Sequence, residues 1–76
     1  MPRYFFHVRR PGVTLRDRDG VELGGIAEAA AEAARRGRQI AEYEARHGIR
    51  SAAGMIVIDE GWRTVLELPI EDEDQG

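Results

Sequence analysis

The side chains able to do chemistry in this sequence are few. The only hydroxyl nucleophiles besides tyrosine are Thr14, Ser51 and Thr64, and the only histidines are His7 and His47. A hydrolytic site needs a nucleophile and a base within hydrogen-bond reach. His7 is the candidate base, but a strand histidine set among aromatic residues packs far more often than it reacts. Ser51 falls in a loop segment and both threonines on strands, so the inventory argues against an enzyme. Asp17-x-Asp19-Gly20-x-Glu22 has the opening of a calcium loop. It lacks a third ligand before the glycine, and the glutamate needed six residues after it is replaced by Ile26. The segment reads as a polar turn, and neither a metal nor a cofactor is expected.

Two non-catalytic readings remain, and they share one surface. Arg3, Phe5, His7 and Arg9 alternate along the first strand, with Arg16 on the next. Aromatic groups among arginines on an open sheet stack bases and neutralise phosphates in several single-strand nucleic-acid binders. The same face would also present Phe5, His7, Met55, Val57 and Val65. Contiguous apolar patches of that kind commonly mark protein contacts. A small chain without staples gains most from association. The sequence therefore favours a homodimer or a protein partner over nucleic acid.

The elements that position these residues follow from periodicity. Residues 3–9 sort by parity, with Tyr4, Phe6 and Val8 facing the core. Pro11-Gly12 turns the chain into a second strand near 13–17, its Val13 and Leu15 inward. From about 26 to 47 the period becomes 3.6. Ile26, Ala30, Ala33, Gly37, Ile40 and Ala41 form one stripe, and Glu32–Arg36 and Glu42–Arg46 form i,i+4 pairs on the polar side. Gly48 is placed to end the helix. Because the stripe is mostly alanine, with Gly37 in its middle, the helix should sit low and most of the core bulk should come from the strands. Residues 54–59 and 63–69 form a second hairpin, with Leu66, Leu68 and Ile70 inward and Val65 and Glu67 outward. The expected fold is α+β, in the order ββαββ, with one amphipathic helix on one face of a mainly antiparallel four-stranded sheet. Residues 1–70 make one domain, and 71–76 a disordered acidic tail.

Charge supports that division. The net charge is −3, from 11 arginines and 14 acids, with no lysine. Residues 1–18 carry five arginines against Asp17, or +4, while Glu71 to Asp74 supply −4. The acidity is largely a property of the tail and says little about partners of the body. There is no cysteine and hence no disulfide. No apolar run approaches the roughly 20 residues of a membrane helix. Nothing near Met1 reads as a signal peptide, so a cytoplasmic location is expected.

The opening Met-Pro-Arg-Tyr-Phe-Phe-His, the Asp19-Gly20-x-x-Leu23 turn, the alanine-rich 27–46 helix and the Ile56-Val57-Ile58-Asp59-Glu60-Gly61 hairpin resemble one another's counterparts in a known set. It is a family of short bacterial proteins, common in rhizobia, classed only as a domain of unknown function. The resemblance covers nearly all of the chain up to Ile70 and implies the fold and a bacterial cytoplasmic origin, but no activity. The chain departs from it at Gly24-Gly25, where such sequences often carry more helix-compatible residues. A looser, topological likeness is to HicB-type antitoxin domains, which also set a hairpin before an alanine-rich helix.

Overall fold

A long first strand organises the sheet. In the computed structural model, which describes residues 1–49 and 54–70, β1 runs Arg3–Arg10, β2 Val13–Leu15, β3 Val21–Glu22, β4 Met55–Glu60 and β5 Arg63–Pro69. The single helix, α1, spans Ile26–Arg46. The sheet is antiparallel throughout, in the order β2-β1-β4-β5, and β3 pairs with the start of β1. The expected α+β architecture is therefore present, with one strand more than expected. The second strand ends at Leu15, and the chain returns as β3 to pair Val21 with Tyr4. Two residues are too few to show a period. The acidic tail and Ser51 lie outside the described residues.

The core is a layer of strand side chains beneath a smooth helix. Tyr4, Phe6, Ile56 and Ile58 are buried with Ala29 and Ala33, and Leu23, Ile40, Leu66, Leu68 and Ile70 pack around them. As expected, the helix contributes small residues and the sheet contributes the bulk. The C-terminus of α1 closes as a Schellman motif, Ile49 N–H donating to Glu44 O at 2.8 Å and Gly48 N–H to Ala45 O at 3.3 Å. Arg36 lies over the Phe6 ring, 4.4 Å from its centroid, and also pairs with Glu32 at 2.7 Å. The other expected helix pair, Glu42 with Arg46, is not formed.

Three expectations about facing are corrected. Val13 and Leu15 are not inward but 52% and 61% exposed. Their parity is right, since Leu15 pairs with Val8 on the helix side of the sheet. However, α1 packs over β4 and β5, and one helix of about 10–12 Å cannot cover strands spaced about 4.8 Å apart across the whole sheet. Ile26 is exposed because it begins the helix, and Ala29 takes its place in the buried stripe. Val65 was expected to face outward, yet packs against the core. A register shift pairs Asp59 with Thr64 but Ile58 with Leu66, so Val65 is the extra residue of a bulge that turns it inward. Gly37 is buried in the helix stripe, as expected, with room to spare for a side chain. A Cβ there would meet only Ile56 Cδ1, at an ordinary 3.6 Å.

Candidate functional site

The helix-free face of the sheet is built around His7. Its neighbours on that face are Phe5 and Arg9 along β1, and Val57, Met55 and Asp59 across on β4. His7 is nonetheless only 8% exposed. The segment between β2 and β3 folds over it, and the backbone N–H of Asp17 donates to Nδ1 at 3.0 Å. Nδ1 is thus an acceptor, so Nε2 carries the proton and donates to Asp59 Oδ2 at 3.2 Å. Asp59 Oδ1 in turn accepts from the Thr64 hydroxyl at 2.7 Å. The order Thr–Asp–His has the look of a proton relay, but the ring nitrogen that would act as a base is occupied by a backbone donor.

Asp17 holds this segment in place. Phe6 N–H lies on the edge of β1 between the stretches paired to β2 and β3, and Asp17 Oδ2 accepts it at 3.0 Å. Oδ1 accepts from Asp19 N–H and Gly20 N–H, both at 3.1 Å. Burial pushes this carboxyl up, but the three N–H donors, with Arg36 nearby, outweigh it and hold it below the usual carboxylate value. The polar turn read from the sequence is therefore a side-chain substitute for missing strand pairing. Gly20 completes it at φ +69, with the Phe5 ring and Tyr4 O so near that a Cβ would come within 2.9 Å of them.

The rest of the face is also partly roofed. Arg9 reaches diagonally across β4 to Glu67, at 3.2 Å, and Val57 beneath is buried. Arg3 donates to Glu22 at 3.3 Å and to Asp19 O at 2.8 Å. What stays open is the end of the sheet at the β4–β5 turn. Glu60 pairs with Arg63, leaving a two-residue loop with Gly61 at φ +68. A positive φ at the first loop residue alone is the type II′ arrangement, which needs glycine there and makes no demand on the second residue. That second residue is Trp62, 98% exposed. It borders an open groove of about 560 Å³, lined also by Arg3, Phe5, Glu60 and Arg63. Among the described residues, no group of three His, Asp or Glu side chains is placed to hold a metal ion.

A family model described as a domain of unknown function (DUF6894) matches residues 3–71. The chain belongs to that family. None of the curated proteins and none of the solved structures compared with it matches. Membership in DUF6894 bears out the resemblance to a domain of unknown function, and it brings no activity with it. No helix among the described residues of this DUF6894 chain is long and apolar enough to cross a membrane.

The residues singled out in the sequence are only partly brought together. Phe5, His7, Met55 and Val57 do share the helix-free face, but His7 and Val57 are buried within it and Val65 has turned to the core. Of the basic set, Arg3 and Arg9 are spent on Glu22 and Glu67, and Arg16 lies beyond the end of β2. Sequence reasoning missed Asp17, Asp59 and Trp62. Asp59 had a signal, since its parity places it beside a strand histidine. Trp62 had one too: a large aromatic at a turn position that asks only for a preceding glycine.

Proposed function

We propose that this domain is a non-enzymatic protein-interaction module that docks through the helix-free end of its sheet, with Trp62 as the anchor. The observation that carries this reading is the 98% exposure of Trp62 on a turn whose geometry does not require it. Interfaces are enriched in tryptophan, phenylalanine, methionine and arginine, and their energetic centres in tryptophan and arginine. The groove offers Trp62, Phe5, Arg3 and Arg63, with the half-buried Met55 further along the same face. A catalytic reading has less support, because both nitrogens of His7 are engaged inside the domain. Nucleic-acid binding also has less support than the sequence suggested, with Arg3 and Arg9 neutralised and His7 buried.

The test is a photocrosslinking amino acid placed at position 62 in the full chain, expressed in the cells that make it. Discrete protein adducts are expected from position 62 and none from Arg38, on the exposed side of the helix. Equal labelling from both positions, or none from either, would remove the reading.

A further inference from the structure

We propose that the turn over His7 is a cover released by acid: a proton on Nδ1 of the ring detaches the turn from the helix-free face and bares Phe5 beside the Trp62 groove. The proposal rests on the interaction reading above and adds a control to it. Three contacts of different kinds tie the segment between β2 and β3 to β1. Asp17 N–H donates to His7 Nδ1 on the face, Asp17 Oδ2 accepts from Phe6 N–H at the edge, and Arg3 reaches Asp19 O near the start of the strand. Only the first requires a histidine to be neutral.

Histidine is the side chain whose charge ordinarily changes between about pH 5 and 8. A neutral imidazole has one donor and one acceptor, and here Asp59 takes the first and Asp17 N–H the second. Protonation makes both nitrogens donors. The Nε2 contact gains, because Asp59 then becomes an ion-pair partner at 3.2 Å. The Nδ1 contact is lost, because two N–H groups then point at each other in a buried site. The ring keeps its place on the Asp59 carboxylate, and the turn gives way. The surrounding charges leave that outcome intact. Arg9 along β1 and Glu67 on β5 neutralise each other over the same face, and Arg16, Arg18 and Asp19 belong to the turn and move with it. Burial raises the Asp17 carboxyl, but its three N–H donors and the nearby Arg36 outweigh this and hold it low. It is therefore still ionised when a histidine protonates, and its Phe6 contact survives as a hinge. Gly20, bonded to Asp17 Oδ1, packs so closely on Phe5 that a Cβ there would lie 2.8 Å from the ring. It leaves Phe5 with the turn.

NMR of the full chain between about pH 5 and 8 follows both halves of the switch at once. The His7 ring signals report the proton, and exchange of the Asp17 amide reports the cover. Protection of that amide, taken against an unstructured chain at the same pH, should fall by about tenfold or more as the ring protonates. The Phe6 and Gly20 amides and those of β4 should keep theirs. His7→Gln, which cannot titrate, should lose the pH dependence, with circular dichroism checking its fold. Three outcomes would overturn the cover: an Asp17 amide that stays protected while the ring protonates, a ring that protonates only as the β4 amides are lost with it, or the same pH response in His7→Gln. None of these measurements involves a partner. A cover that fails them leaves adducts from position 62 untouched, and an absence of adducts leaves the cover standing.

Discussion

His7 and Asp17 hold each other through the backbone: the N–H of Asp17 donates to the Nδ1 of His7, while the Asp17 carboxylate accepts from Phe6, one residue earlier in the same strand. One residue thus ties both the face and the edge of β1. Asp17→Asn keeps the shape but puts an NH₂ group where one of the two oxygens accepts. A buried donor then loses its partner, and the expected cost is about 1–3 kcal/mol, measured by urea denaturation of the variant.

The same carboxylate sets an acid limit. Its value is depressed in the folded chain, so its contribution is complete above the unfolded carboxylate value and is lost as pH falls through the folded one. Glu32, held low by hydrogen bonds from Arg35 and Arg36, acts in the same direction. Stability should fall below about pH 4, and Asp17→Asn should flatten that decline without abolishing it. A pH series of melting temperatures checks this, and an unchanged acid limb in the variant would contradict it.

Two glycines should respond oppositely to alanine. At Gly37 the added methyl meets only an ordinary contact, and alanine favours the helix by about 1 kcal/mol, which for a domain of this size raises Tm by about 4–8 °C. At Gly20 the methyl meets Phe5 and Tyr4 O in a left-handed conformation, and a loss on the order of 1–3 kcal/mol is expected. Differential scanning calorimetry of both variants gives the comparison in one experiment.

Leu15→Ala and Ile58→Ala separate parity from burial. Both side chains lie on the helix side of the sheet, yet Leu15 is 61% exposed and Ile58 fully buried. The first should stay within about 0.5 kcal/mol of the wild type, and the second should cost about 2–5 kcal/mol.

Trp62→Ala should leave monomer stability within about 0.5 kcal/mol, because the indole touches little of its own chain. A large loss would mean that Trp62 serves the fold rather than a partner.

The sequence was most legible where one residue type repeats at one period. Tyr4, Phe6 and Val8 disclosed the inner face of β1, and the alanine stripe disclosed α1. It was least legible where the deciding quantity is lateral. Nothing in Val13-Thr14-Leu15 says that the helix will lie two strands away, over β4 and β5. The bulge at Val65 is a register fact that belongs to two strands at once. The candidate site divides in the same way. Phe5 and Met55 were readable from parity. The burial of His7 depended on a turn folding over it, and Trp62 fell in the gap between the two strands of the second hairpin, where periodicity says nothing.

The pairing of β1 with β4, Tyr4 opposite Glu60 and Arg9 opposite Met55, has a consequence for how the chain comes to be folded. The first strand of the domain is completed by its fourth. Until β4 is made, Tyr4 and Phe6 have only the short β2 and β3 beside them in the sheet, and from α1 only small side chains and Arg36 to cover their rings. Closing so long a loop has an entropic cost before any contact rewards it, and folds dominated by such pairings form slowly. The helix and the β4–β5 hairpin are local and can form early. Folding of this domain should therefore be gated by the arrival of Ile56-Val57-Ile58 beside a strand made some forty-five residues earlier.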